Sequence, residues 1–401
     1  MKITKFPEEF KKAKPVLEAI QNAGFEAYFV GGCVRDTLLG LPLHDVDIAS
    51  SAYPAEIKSI FKRTVDTGIE HGTVMVLDHG EGYEVTTFRT ESTYQDFRRP
   101  DHVTFVRSLA EDLKRRDLTI NALAMDVNGN VVDLFNGLED LKNHIIRAVG
   151  DPHERYHEDA LRMMRSIRFM SQLDFKIEKN TEKAIQDNAP LLEKIAVERI
   201  HVEWIKLLLG RNPQNAIKTF IETNLYKYCP DFDQYGSGLE KISEINDLHL
   251  NSEVECWILM GHEFGLTPLE TTKLMRRWKT SKELINQVEI GQIALESTQD
   301  FTNSQLLFDT GLDLMLAANH VAKLLKQTDI SDQEIKKYYE ALPIKSTSEI
   351  AITGTDLIKE LGIKPGPKIG KILETVKEQI LNGNLQNQRT KLLDFVKTNF
   401  D

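Results

Sequence analysis

The chain has little cysteine. Its 401 residues include three, Cys33, Cys229 and Cys256. Their spacing fits neither a zinc site nor a disulfide framework, and a reducing cytoplasm is the simplest location. No apolar run is long enough to span a bilayer, so no membrane helix is expected. The opening residues, Met1-Lys2-Ile3-Thr4-Lys5-Phe6-Pro7, lack a hydrophobic signal-peptide core. Neither common phosphate loop is present around Gly31: the Gly-Lys-Ser/Thr of a Walker loop and the Gly-x-Gly-x-x-Gly of a dinucleotide fold are both missing. The second half shows no repeat period and no histidine–aspartate metal dyad, which speaks against a phosphohydrolase domain. Positive charge is also in deficit, with 50 Lys and Arg against 61 Asp and Glu, a formal charge of −11. Taken alone, that disfavours a nucleic-acid partner, since phosphate contacts need Lys and Arg.

The deficit is uneven. Acidic residues crowd Asp231 to Glu255. Arginines crowd Arg98 to Arg116 and Arg155 to Arg168, and lysines recur from Lys359 to Lys371. A basic face on an acidic protein is therefore open, because net charge governs solubility more than the chemistry of one site. At this length two to four units are expected. Hydrophobic residues at 41% and charged residues at 28% are the balance of a soluble globular chain.

The most informative stretch is Tyr28-Phe29-Val30-Gly31-Gly32-Cys33-Val34-Arg35-Asp36, followed by Leu43-His44-Asp45-Val46-Asp47-Ile48. It reads as strand, glycine turn, short helix and a second strand carrying two aspartates. Residues two apart on a strand share a face, so Asp45 and Asp47 present paired carboxylates while Val46 and Ile48 turn inward. Two hard oxygen ligands at that spacing suit Mg²⁺ with substrate phosphates completing its shell. Gly31 and Gly32 remove Cβ atoms where a phosphate would approach backbone N–H groups, and Arg35 adds a cationic fork. Together these features describe metal-dependent nucleotidyl transfer. Gly-Gly-x-Val-Arg-Asp, Leu-Leu-Gly and Asp-x-Asp resemble the first motif of the tRNA nucleotidyltransferase and bacterial poly(A) polymerase family, in the polymerase-β superfamily.

The rest of the chain is read in order. Phe10 to Gly24 is an amphipathic helix with Ala13, Leu17 and Ile20 on one side. A helix opens at Pro54, and short strands follow at Val65 to Thr67, Thr73 to Leu77 and Tyr83 to Phe88. Glu84, on the last of these, is either a third metal carboxylate or a surface residue. Thr90 to Asp101, with Tyr94, Asp96, Arg98, Arg99 and Pro100, reads as a loop. It is similar to the loop that serves the switch from CTP to ATP in CCA-adding enzymes. Leu109 to Met125 reads as one long helix in which Arg116 meets a phosphate and Asp117 and Asn121 meet ribose hydroxyls. Arg-Arg-Asp-x-Thr-x-Asn-Ala resembles the family's second motif. Asn128-Gly129-Asn130 makes a tight turn between strands.

After a break at Asp151-Pro152, Asp159, Arg162, Arg165 and Arg168 fall every third residue, a slanting ridge if the segment is one helix. A carboxylate accepts from the amino group of cytosine or adenine, and a guanidinium donates to their ring acceptors. One Asp159–Arg162 pair therefore admits C and A and rejects G and U. Arg165 and Arg168 would point toward the triphosphate or the RNA backbone. Glu158-Asp159-x-x-Arg162 resembles the family's nucleobase-selecting motif, which acts in place of a nucleic-acid template. Val197 to Leu207, with Arg199, Glu203 and Trp204, resembles the next motif, a helix that supports the pocket. From Gly210 onward the chain reads helical. Near its end, Lys364-Pro365-Gly366-Pro367-Lys368 opens onto a helix, a place suited to a backbone phosphate.

The expected fold class is α+β: a nucleotidyltransferase head with a mixed sheet and helices (1–150), then an all-α neck with the base-selecting helices (151–210), a helical body (211–345) and a helical tail that contacts tRNA (346–401). What the resemblance implies is addition of C, C and A to the tRNA 3′ end from CTP and ATP, with Asp45 and Asp47 holding Mg²⁺. Gly32, Arg35 and Arg116 position the triphosphate; Asp159, Arg162, Arg165 and Arg168 complete the nucleotide site. No membrane or protein partner is implied. A poly(A) polymerase would be expected to carry a long basic tail, and a non-catalytic RNA-binding relative to lose one of the paired aspartates. This chain ends at Asp401 with neither feature.

Overall fold

The computed structural model describes residues 1–43, 45–91, 103–297 and 300–400. The loop residues Tyr94, Asp96, Arg98, Arg99 and Pro100 lie outside the described residues. The chain divides into two compact units, Met1–Ser243 and Glu244–Asp401.

The first unit opens with helix α1 (Glu8–Asn22), whose Phe10, Ala13, Leu17 and Ile20 are fully buried, as their spacing predicts. A mixed seven-stranded sheet follows, in the order β3-β4-β5-β2-β1-β8-β9. Its strands are β1 (Ala27–Val30), β2 (Ile48–Ser50), β3 (Thr64–Gly68), β4 (Thr73–Asp78), β5 (Glu81–Thr87), β8 (Leu123–Met125) and β9 (Val131–Asp133), with the ribbon β6 (Arg89–Glu91) and β7 (Val103–Phe105) between β5 and β8 in the chain. The parallel pair β2–β5 aligns Ile48 with Val85, and the antiparallel pair β1–β8 aligns Val30 with Ala124. Val30, Ala49, Phe88, Leu113, Ala122 and Ala124 form one buried cluster at the centre of the sheet. Helix α2 (Gly32–Leu39) starts directly after the glycine turn, and α3 (Pro54–Ile60) carries its proline in the first turn.

The long helix expected over Leu109–Met125 is not formed. Helix α4 (Leu109–Lys114) ends after six residues, a 3₁₀ turn spans Thr119–Asn121 and β8 follows. Helical propensity loses to long-range pairing. Thr119 N donates to Arg147 O at 2.9 Å, Val149 N donates to Asp117 O at 3.2 Å, and Leu123–Met125 enters the sheet. The turn at Asn128–Asn130 does join two paired strands.

Beyond the sheet, α5 (Gly137–Asn143) leads to the short parallel pair β10 (Ile145–Ile146) and β11 (Lys176–Ile177), which flanks α6 (Pro152–Glu158) and α7 (Leu161–Leu173). Helices α8 (Lys179–Asn188), α9 (Val197–Leu208) and α10 (Pro213–Glu222) complete the layer. Trp204 of α9 is buried, stacked on Phe220 at 4.9 Å and edge-on to Phe232 at 5.3 Å, which fixes α9 where it packs on α7. The second unit is helical from Glu253 to Phe400 among its described residues. Its helices include Glu253–Glu263, Pro268–Arg277, Leu312–Leu324 and Pro367–Leu381, in keeping with the helical reading of this half of the chain. No helix among the described residues is long and apolar enough to cross a membrane.

Gly137, at the start of α5, lies against the turn that carries Asn121. A Cβ there would stand 2.3 Å from Thr119 O and 2.9 Å from Thr119 C, both backbone atoms. Gly137→Ala is therefore expected to destabilise the protein by about 1–3 kcal/mol, seen as a lower urea midpoint. An unchanged midpoint would show that the close packing has no consequence.

Candidate active site

The glycine turn is built by conformation. Gly31 has φ +72° and ψ −128°, open to glycine alone among ordinary residues. Its N–H donates to Leu123 O at 3.1 Å, and a Cβ there would meet Arg116 Nη1 at 2.8 Å. Gly32 begins α2 with ordinary helical geometry. The turn opens a cavity of about 620 Å³ within the first unit, bounded by Val30, Gly31, Gly32, Ile48, Thr73 and Thr86 from the sheet side and by α7 and α9 opposite.

Eight arginines line it: Arg35, Arg89, Arg115, Arg116, Arg162, Arg165, Arg168 and Arg199. Two carboxylates face them, Asp117 and Asp159. Each arginine of the inner wall is oriented by an acid behind it. Arg35 is bidentate to Asp36 at 2.8 and 2.9 Å. Buried Asp112 holds Arg115 at 2.8 Å and Arg116 at 3.2 Å. Arg165 grips Asp117 at 2.6–2.7 Å, and Arg168 meets Glu203 at 2.8 Å. The ring of Phe169 lies under three guanidiniums, those of Arg168 at 4.0 Å, Arg35 at 4.8 Å and Arg165 at 5.7 Å.

The electrostatics follow from this crowding. Burial pushes Arg168 down to about 10 despite Glu203, with Arg165 and Arg35 adding to the effect. Asp117 goes the other way. Burial works to raise its carboxyl, but the Arg165 charge, the Asn121 amide and Arg162 together hold it well below the usual carboxylate range. Asn121 bridges the wall: its Oδ1 accepts from Arg35 Nη1 at 2.5 Å and its Nδ2 donates to Asp117 Oδ1 at 3.1 Å. The cavity is thus short of negative charge, as a site awaiting a polyanion would be.

The paired aspartates are placed differently. Asp45 and Asp47 precede β2, which begins at Ile48, so they sit on the lead-in and not on the strand itself. The ladder nonetheless reaches them, because Val30 N donates to Asp47 O at 3.0 Å. They line a second cavity, about 330 Å³, with Val46, Met75 and Glu84. The two cavities draw on the same segments: Ile48 and Thr86 line the first, Asp47 and Glu84 the second. Desolvation raises the Asp47 carboxyl; Arg116 opposes this, and the charges of Glu84 and Asp45 reinforce it. Carboxylates that repel one another without a neutralising partner suit a hard divalent cation. Among the described residues no three His, Cys, Asp or Glu side chains form a group that could hold a metal ion.

The segment read from the sequence as base-selecting departs from a single helix. Asp159 ends α6 with extended backbone (φ −140°, ψ 103°), and α7 starts at Leu161. The break lets the Asp159 carboxylate cap Leu161 N at 3.0 Å. Arg162 does not pair with it. Arg162 Nη1 donates to Glu158 Oε2 at 2.6 Å and Nη2 to Arg115 O at 2.9 Å. The partner of Asp159 is Arg199 of α9, at 2.8 Å. Reading α9 as a supporting helix left Arg199 and Glu203 out of the site; their i,i+4 spacing, which puts both on one face, was the available signal.

Comparison with known proteins agrees with this geometry. The poly(A) polymerase head domain family matches residues 27–147, the RNA- and SrmB-binding region of polymerase A matches 174–235, and tRNA nucleotidyltransferase domain 2 matches 248–396. The CCA-adding enzyme of Ligilactobacillus salivarius is 57% identical over 99% of this chain and 98% of its own length, and that of Enterococcus faecalis is 51% identical over 99% and 98%. The crystal structure of the Bacillus stearothermophilus CCA-adding enzyme in complex with CTP superposes with a TM-score of 0.90 at 36% identity, covering 98% of this chain and 99% of that one. The Thermotoga maritima enzyme shares the fold at a TM-score of 0.62 and 19% identity. Full-length identity at this level, together with an arginine-walled cavity at a glycine turn beside paired aspartates, establishes that the chain belongs to the CCA-adding enzymes, a family of tRNA nucleotidyltransferases.

Proposed function

We propose that the protein adds C, C and A to the 3′ end of tRNA from CTP and ATP, choosing each base with its own side chains. The observation that carries this reading is the continuous arginine wall from the glycine turn to Asp159, lying next to the cavity of Asp45 and Asp47. Its length and charge suit a nucleoside triphosphate laid with phosphates toward Gly31, Gly32, Arg35 and Arg116 and base toward Asp159. The relative that superposes over nearly its whole length was crystallised with CTP.

The reaction is an in-line displacement. The tRNA 3′-oxygen bonds to the α-phosphorus, the bond to the bridging oxygen breaks, the hydroxyl proton is released and pyrophosphate leaves. Asp45 and Asp47 would hold Mg²⁺, which when bound activates the hydroxyl and offsets charge on the leaving group. The arginines, fixed in place by their acids, present donors to the phosphates without reorganising. Asp117 and Asn121 would meet the ribose, although they are also tied to Arg165 and Arg35. Asp159 accepts from the amino group of C or A, and Arg162 donates to the ring once released from Glu158. Residues 1–150 act as head, 151–210 as neck, 211–345 as body and 346–401 as tail. In the tail the exposed turn around Gly366 (φ +154°) opens the helix Pro367–Leu381 beside Lys364 and Lys368.

An extension assay tests the function. A tRNA transcript without its CCA end, supplied with Mg²⁺, is expected to gain two cytidines from CTP alone and one terminal adenosine when ATP is also present. A long adenosine ladder from ATP alone would instead establish a poly(A) polymerase.

Asp45→Asn is expected to lower turnover by roughly 10²-fold or more while leaving tRNA affinity unchanged in a filter-binding assay. Near-normal turnover would remove Asp45 from the metal site. Gly31→Ala strains the backbone at φ +72° and displaces Arg116. Its expected effect is a KM for CTP raised about tenfold with a smaller change in kcat, and an unchanged KM would show that the turn does not contact the triphosphate.

A further inference from the structure

Asp159 lies in a break between helices, after α6 and before α7. Two contacts fix its side chain. Its Oδ1 accepts from Leu161 N at 3.0 Å, and its Oδ2 accepts from Arg199 Nη2 at 2.8 Å. The second contact crosses 40 residues of sequence and comes from α9. Arg199 lines the cavity, and its other terminal nitrogen, Nη1, is buried with no acceptor. One turn further along the same face, Glu203 is 6% exposed and holds Arg168 at 2.8 Å, with Arg165 at 3.8 Å. Helix α9 therefore offers each charge of the opposite wall its complement: a guanidinium for the carboxylate, and a carboxylate for the guanidiniums. Trp204, buried against Phe220 and Phe232, anchors the helix that carries both.

We propose that Arg199 is a specificity-determining positioning residue, which sets the orientation of the Asp159 carboxylate and so makes the site reject bases that present a carbonyl where cytosine and adenine present an amino group. The inference rests on the reading that Asp159 chooses the base. Hydrogen bonds weaken steeply away from linearity. A carboxylate discriminates an amino group from a carbonyl oxygen only while an oxygen lone pair is held on the line of the N–H. If the carboxylate can swing, it turns from the carbonyl or lets a water bridge to it, and the penalty for the wrong base falls. Leu161 N alone holds one oxygen and leaves the other free to rotate out of line. Arg199 supplies the second point. Arg162 does not supply it in this structure, since its contacts run to Glu158 and to the carbonyls of Arg155 and Arg115.

The test is steady-state kinetics with CTP and UTP on tRNA lacking its CCA end, for the wild type, Arg199→Ala, Arg199→Lys, Asp159→Ala and the double variant Arg199→Ala/Asp159→Ala. The Arg199 side chain is 31% exposed, and thermal melts of each variant confirm folding. Arg199→Ala is expected to reduce the CTP/UTP ratio of kcat/KM by roughly tenfold or more. Lysine should recover part of the ratio, because it restores the charge without the fork. The double variant should discriminate no worse than Asp159→Ala, as expected when one residue acts through the other. Equal losses for CTP and UTP, with the ratio intact, would overturn the proposal and leave Arg199 a purely structural contact. An intact ratio in Asp159→Ala would instead refute the base-choosing role beneath it, and the proposal with it.

Discussion

The first unit is organised around the cost of holding many guanidiniums in one partly buried wall. Two like charges about 4 Å apart repel by about 4 kcal/mol at an effective dielectric near 20, so arginines packed around a single phenylalanine ring would not remain there unassisted. The protein meets this with a row of acids behind them. Asp36, Asp112, Asp117 and Glu203 each hold one or two guanidiniums at hydrogen-bonding distance. The acids orient the arginines, and removing one partner of such a buried pair typically costs about 3–5 kcal/mol. Burial lowers the affinity of Arg168 for its proton despite Glu203, and the neighbouring Arg165 and Arg35 add to the effect. The residual positive charge faces the cavity.

That arrangement also ties together segments that are far apart in the chain. Asn121 accepts from Arg35 and donates to Asp117, which in turn binds Arg165. The glycine-turn helix, the turn after α4 and α7 thereby share one polar chain. Such networks are stronger than isolated pairs when every member is satisfied. A shift of α7 would be felt at Arg35, and a change at the glycine turn would be felt at Arg165. On the proposed function, this network ties the phosphate end of the cavity to α7, the helix that follows Asp159.

Much of this was legible in the sequence, and the limits were physical. The glycine turn, the arginine-rich segments and the helical second half all depend on local pattern: positive φ, clustered charge and apolar periodicity. The long helix read over Leu109–Met125 failed because Leu123–Met125 gains more as a central strand than as a helix end. The ridge from Asp159 to Arg168 failed as a continuous helix for a related reason. Asp159 is more useful as a cap than as a helical residue, and no periodicity announces that choice. Arg199 and Glu203 were visible as residues of α9, but their partners lie on α7 and in the break before it. Pairings across such distances in sequence are fixed by packing, which pattern alone does not report.

The same reasoning resolves the conflict between a charge of −11 and a polyanionic ligand. Exposed charges further apart than about 8–10 Å are largely screened at physiological ionic strength, whereas charges along a walled cavity are screened far less. The acidic surplus therefore acts as a weak, diffuse repulsion, and the eight arginines act as a strong, local attraction. On the proposed function this division has a use. A diffuse negative surface discourages non-specific RNA, which binds mainly through phosphate contacts, while a nucleotide small enough to enter the cavity is held by donors already in place. Selectivity for the base then falls to the few groups at the far end of the wall, where Leu161 N and Arg199, the latter on a helix anchored through Trp204, together hold the carboxylate of Asp159.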